Sequence, residues 1–164
     1  EFDPGIRSRL VAVLAKSAGS AGMVGGQMID LGAENAKLSF EEISQLQRMK
    51  TGALIAVSCE MGAIMGQATD EAKSALSQYA NNIGLAFQIV DDLLDITGDE
   101  VEVGKKIQKD VEAGKATFVS LMGLESARQK AEELSLHAQE CIGLFGAKAV
   151  PLKALANFIV NRRS

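Results

Sequence analysis

Residues 83–99 read Ile-Gly-Leu-Ala-Phe-Gln-Ile-Val-Asp-Asp-Leu-Leu-Asp-Ile-Thr-Gly-Asp, and this run decides the fold. Its apolar residues do not alternate as a half-buried strand would. They extend a pattern that begins upstream, with Leu76, Tyr79, Ile83, Phe87, Val90 and Leu94 spaced three or four apart, the period of a helix with one buried face. Thr69-Asp70-Glu71 supplies a capped, acid-first start, and Gly98 a stop, so one long helix is expected between them. On that helix Gln88, Asp91, Asp92 and Asp95 stand at i, i+3, i+4 and i+7. They are expected to share a face about 100° away from the apolar stripe, and there to converge.

Three carboxylates brought together repel one another and raise each other's pKa unless a cation sits among them. An oxygen-only set suits magnesium bound together with the phosphates of a substrate. The ordinary reading of a DxxD pattern is a solvated acidic helix end. Gln88 and the apolar residues before Asp91 argue instead for the wall of a pocket. A calcium-binding EF-hand loop is excluded, because Leu93 stands where the second ligand belongs.

Outward from this helix, every other segment also reads as helix or connection. Asp3-Pro4 opens a helix expected over residues 4–18, with Ile6, Leu10, Val13 and Leu14 at helical spacing and Gly19 after it. Residues 22–30 are glycine-dense without alternation, which suits close packing of one helix on another. Ser39 and Glu42 form a capping box, with Leu38 and Ile43 in the flanking staple positions. The helix that starts there runs to Lys50-Thr51-Gly52, kinks, and continues as an apolar helix towards Gly66. Residues 98–115 read as a charged loop. Further helices are expected over 117–124, 126–145 and 151–161, the last with Leu152, Leu155 and Ile159 on its buried side. Nothing reads as a strand, so the fold class is all-α, a helical bundle spanning residues 1–164 as one domain.

Bulk properties narrow the function. The chain has 164 residues, 47% of them apolar, enough for a packed core. Its net charge of −4 argues against a nucleic-acid partner, which would need a concentrated cationic face. Cys59 and Cys141 show neither disulfide-framework nor zinc-site spacing, and a reducing, cytoplasmic setting without a secretory leader is expected. Residues 53–68 are the most apolar, but Glu60 interrupts them, so no membrane span is expected. His137, the only histidine, has no catalytic partner nearby in sequence. Gly114-Lys115-Ala116-Thr117 lacks the earlier glycine and the preceding strand of a phosphate-binding P-loop.

The run Phe87-Gln-Ile-Val-Asp-Asp-Leu-Leu-Asp-Ile-Thr-Gly-Asp99, followed by Gly104-Lys105, Asp110 and Lys115-Ala-Thr117, resembles the second aspartate-rich region of the trans-isoprenyl diphosphate synthases. Gly26-Gln27 with Asp30, and Lys50-Thr51-Gly52-Ala-Leu54, match two further motifs of that family in the same order. The resemblance covers nearly the whole chain and is nearest to the farnesyl and geranyl diphosphate synthase type. It implies the isoprenoid synthase fold, a cytoplasmic homodimer, Mg2+ as cofactor, and condensation of an allylic diphosphate with isopentenyl diphosphate.

It also implies roles for particular residues. Asp91, Asp92 and Asp95 would be magnesium ligands or hold them through water. Lys50, Lys105 and Lys115 would clamp diphosphate as compact point charges. Thr51 and Gln88 would turn oxygen dipoles towards an allylic carbocation without trapping it. Gln27 and Asp30 would line the same cavity. The family's earlier aspartate motif is absent from these 164 residues, and the likeness is to the carboxy-terminal half. A half-site that is inactive alone is therefore expected, the alternative being a non-catalytic binding or regulatory subunit of a prenyl synthase.

Overall fold

The computed structural model describes residues 3–33, 36, 38–97 and 116–162. Among them there is no strand, and the all-α architecture expected from periodicity is what the chain adopts. Helix α1, Pro4–Ala18, starts where the Asp3 carboxylate accepts a hydrogen bond from the Gly5 N–H at 2.7 Å and Pro4 fills the first turn. Helix α2 is Met23–Gly32 and α3 is Phe40–Gln47. The capping box of α3 is closed in both directions: Ser39 N–H donates to Glu42 Oε2 at 2.8 Å, and Glu42 N–H donates to Ser39 Oγ at 3.3 Å. Those bonds from Ser39 hold the Glu42 carboxyl below its ordinary pKa. The expected kink is a turn of π-helix, Arg48–Gly52, through which α3 passes without a break into α4, Ala53–Met65.

Helix α5 runs from Asp70 to Thr97. At about 1.5 Å per residue its 28 residues extend about 42 Å. Helix α6, Phe118–Met122, is capped by Thr117, and Gly123 ends it at φ 82°, a conformation that glycine tolerates. Helix α7 is Leu124–Cys141 and α8 is Val150–Asn161. The helix expected to reach residue 145 stops at Cys141, because a 3-10 segment, Gly143–Ala149, follows with a reversal at Gly146 (φ 55°). Leu155 is also not on the buried side of α8: it is exposed, and Ala156 takes its place beside Ile159. Steps of three and four fit one short helix equally well, and only the neighbouring helices choose between them.

Helix α5 is the axle of the bundle and packs against α4, the π turn, α6, α7 and α8. Two buried clusters form along it. Near its carboxy-terminal half, Ala86, Ile89, Val90 and Leu93 pack with Phe118 of α6 and with Ala127 and Leu134 of α7. Nearer its start, Tyr79 and Ile83 pack with Ala138, Ile142, Ala156 and Ile159. The Tyr79 hydroxyl donates to the Leu152 carbonyl at 2.8 Å, and burial, with a smaller effect from Cys59, pushes its pKa up to about 12. The end of α5 that carries the aspartates is thereby fixed against α6, α7 and α8.

Among the described residues one helical run, Gly143–Asn161, is long and apolar enough by composition to cross a membrane, which the sequence had not singled out. The reversal at Gly146 divides it, leaving the 12 residues of α8 as continuous α-helix. Those cover about 18 Å, short of the roughly 30 Å of a bilayer core.

Candidate active site

Two glycines bring the candidate residues together. At Gly26 in α2 a Cβ would fall 2.7 Å from Lys50 Cα and 2.8 Å from the Met49 carbonyl carbon, so only glycine lets α2 lie against the π turn. At Gly84 a Cβ would meet Gly52 Cα at 3.3 Å, so the same turn also presses close on α5. Gln88 lies one helical turn beyond Gly84, on the way to the aspartates. The dense glycines of residues 22–30 thus serve close helix packing, as expected. The π turn carries Lys50 and Thr51, both half-buried. Single π turns inserted in α-helices recur at functional positions because the extra residue re-aims the side chains around it.

Lys50 Nζ is 2.7 Å from Asp30 Oδ2, in a pair that joins α2 to the π turn. The lysine side chain retains 32% exposure and the aspartate 12%, so the ammonium faces outward from a carboxylate that positions it. Asp30 also lines a small cavity with Gln47 and Ala116, and the Gln47 Oε1 is buried without a hydrogen-bond partner. Gln27, expected beside Asp30, is exposed and does not line that cavity.

At the carboxy-terminal end of α5, Gln88, Asp92 and Asp95 are buried, and Asp91 is partly exposed. Among the described residues no three acidic, histidine or cysteine side chains gather closely enough to hold a metal ion. Asp91, Asp92 and Asp95 all lie on the last turns of α5, with Asp92 turned away from Asp91. Consecutive helical residues point about 100° apart. Asp92 turns into the core, where its Oδ2 accepts a hydrogen bond from the Phe118 N–H at 2.8 Å, one of the unsatisfied donors at the start of α6. Asp91 and Asp95 stand one turn apart, and this carboxylate donor set fits magnesium in its chemistry. Lys105 and Lys115, the other expected clamps, lie outside the described residues, as does the loop over 98–115.

One residue at this end escaped sequence reasoning. Arg162 Nη2 is 3.4 Å from Asp91 Oδ1, and its guanidinium lies 4.2 Å above the centre of the Phe87 ring. Its Nε is buried without a hydrogen-bond partner. Arg162 and Asp91 are 71 positions apart, so no local signal announces the pair. The only hint is the charge of the terminal Arg-Arg.

The family model for polyprenyl synthetase matches residues 6–143. The chain is 43% identical over 160 residues to geranylgeranyl pyrophosphate synthase 9, chloroplastic, of Arabidopsis thaliana, covering 95% of this chain and 44% of that protein. It superposes on the FPP/GFPP synthase of Zymomonas mobilis with a TM-score of 0.82 and 42% identity, over 98% of this chain and 52% of that one. It also matches the Helicobacter pylori geranyltransferase complexed with magnesium and isoprenyl diphosphate, with a TM-score of 0.81 and 32% identity, over 98% and 52%. The chain spans about half the length of the relatives it matches.

Proposed function

The chain belongs to the polyprenyl synthetase family, and on that premise we propose that it supplies one half of a prenyltransferase site that condenses an allylic diphosphate with isopentenyl diphosphate. In that reaction the C–O bond of the allylic substrate breaks, releasing diphosphate and leaving an allylic carbocation. The double bond of isopentenyl diphosphate attacks the cation, and a proton is lost from the adduct. The protein must neutralise the leaving group and keep water and nucleophiles away from the cation.

The observation that carries this reading is the packing of the π turn between α2 and α5, which sets Lys50 and Thr51 against the helix that bears Gln88 and the aspartates. Lys50, held by Asp30, binds the diphosphate as a point charge, and Lys105 and Lys115 add to the clamp. Asp91 and Asp95 would hold magnesium. When bound, Mg2+ supplies charge neutralisation of the diphosphate. Asp92 orients this end of α5 through its bond to α6, and the Gln88 and Thr51 oxygens stabilise the cation as dipoles. Farnesyl diphosphate is the product length inferred from overall likeness, and a reducing, cytoplasmic setting is the reading that the free thiols of Cys59 and Cys141 accord with. Self-association as a homodimer is supported by α1 and α2, where α1 buries no residue and Val11, Val24, Met28 and Leu31 are exposed.

The test is a steady-state assay with geranyl and isopentenyl diphosphates and Mg2+, read by product length. In the whole protein, Lys115→Ala is expected to raise KM for the diphosphates about tenfold or more with a smaller change in kcat. A pure loss of kcat at unchanged KM contradicts the clamp. The 164-residue chain alone is expected to give no turnover, and turnover by it would overturn the half-site reading.

A further inference from the structure

Arg162 is the first residue past α8, and its backbone leaves the helix in an extended conformation (φ −65°, ψ 150°). Its guanidinium reaches back to α5, where it lies 4.2 Å above the Phe87 ring and 3.4 Å from Asp91 Oδ1. A cation after the last turn of a helix is favourable to that helix wherever its side chain points. Burial is not required for that, yet the Arg162 side chain is only 13% exposed, and its Nε has no hydrogen-bond partner among the described residues. A buried charge with an unsatisfied N–H and one long bond is a poor source of stability. These contacts lie within the packing of α5 and α8 and do not depend on what covers the outer surface of either helix.

Both sides of the contact are fixed. Phe87 packs with the cluster that contains Tyr79, Ile83, Ala138 and Ile159. Helix α8 is gripped through its backbone: Tyr79 donates to the Leu152 carbonyl, and Ser135 donates to the Ala156 carbonyl at 3.0 Å. Asn161 Nδ2 donates to the Asn157 carbonyl at 2.8 Å, closing the last turn before Arg162. The guanidinium is therefore delivered to Asp91 from a rigid frame, lying over the ring while one of its nitrogens meets the carboxylate.

We propose that Arg162 is a positioning residue of the metal site: anchored on Phe87, it holds the Asp91 carboxylate in the orientation in which, with Asp95, it takes Mg2+. The inference rests on the reading of Asp91 as a magnesium ligand. Position and charge act in opposite directions here. A guanidinium near a metal ion repels it, so if charge alone mattered, removing Arg162 would tighten metal binding. If the guanidinium preorganises the carboxylate, removing it lets the carboxylate spread over other rotamers, and binding weakens.

The test is Mn2+ binding, as a paramagnetic substitute for Mg2+, to the whole protein with inorganic diphosphate, followed by electron paramagnetic resonance. Arg162→Gln is expected to weaken Mn2+ binding about tenfold. Arg162→Lys keeps a charge but not the planar fork, and should weaken it about threefold. In steady-state assays the Mg2+ concentration for half-maximal rate should rise in parallel, with kcat at saturating Mg2+ kept within about threefold. A purely structural role would lower the thermal midpoint and leave Mn2+ affinity unchanged. Unchanged or tighter binding in either variant overturns the proposal, and the lysine variant decides alone if the glutamine variant does not fold. In an Asp91→Asn background Arg162→Gln should add no further loss, because it acts through that carboxylate. The same background separates this proposal from the reading beneath it. If Asp91→Asn weakens Mn2+ binding and Arg162→Gln does not, only the positioning role fails. If Asp91→Asn leaves binding unchanged, Asp91 is not a ligand and both fail.

Discussion

At its first turn α5 carries Asp70 and Glu71, and near its last it carries Asp91, Asp92 and Asp95. Only the first set follows from helix electrostatics. Carboxylates at a helix amino terminus meet the positive end of the macrodipole and are stabilising, whereas at the carboxy terminus they oppose its negative end. The last turn of α5 contains no basic residue to compensate. Asp70 is served locally: its side chain is 99% exposed, and Lys73, three residues on, lies 2.8 Å away. That hydrogen bond holds the Asp70 pKa below its ordinary value. The aspartates at the other end are served from afar, Asp92 by the backbone of α6 and Asp91 by Arg162. Acidic residues that a helix does not favour, gripped by distant partners and partly buried, gain nothing from helix electrostatics, which accords with the role proposed for them.

The contrast predicts unequal costs. The largest belongs to Asp91→Ala in the whole protein, expected to lower turnover by about a thousandfold or more while the helical circular dichroism is kept. A loss of less than about tenfold would remove Asp91 from the site and collapse the distinction between the two ends. Asp92→Ala comes next. It leaves the Phe118 N–H buried without its carboxylate, and denaturation should show a loss of about 2 kcal/mol. An unchanged midpoint would mean that α6 caps itself through Thr117 alone.

A third prediction concerns pH and the start of α5. Tyr79 has a folded pKa raised to about 12, so its neutral form is favoured in the native state. Its contribution to stability is complete below the unfolded value near pH 10 and is lost as pH rises through about 12. Tyr79→Phe should flatten that alkaline decline, and an equally steep decline in the variant would locate its cause elsewhere. The smallest effect is expected from Asp70→Asn. The acid is fully solvated, so the thermal midpoint should barely move, and a large shift would show that the first turn carries more than local charge.

The helices were legible because their signals are local. Ser39 and Glu42 lie three residues apart, Asp3 is two from Gly5, and the apolar residues of α5 recur within a turn or so of one another. Where the sequence misled, the missing information was rotational. Leu155 and Ala156 both fit the periodicity of α8, and the rotation of the helix is set by the grip of Tyr79 and Ser135 on its carbonyls. Asp91 and Asp92 both fit one face of α5, and the position of α6 decided which of them turned inward.

By itself the sequence determined an all-α chain, the order of its helices, the close-packing glycines and the acidic end of α5, because caps, periodicity and residue chemistry act within a few positions. Only the tertiary structure decided that Lys50 pairs with Asp30, that Asp92 accepts a hydrogen bond from the start of α6, and that Arg162 lies over Phe87 beside Asp91. Those contacts join residues from 20 to 75 positions apart. Their geometry depends on how whole helices roll and slide against one another, which is settled by close packing of the core and not by any one stretch of chain.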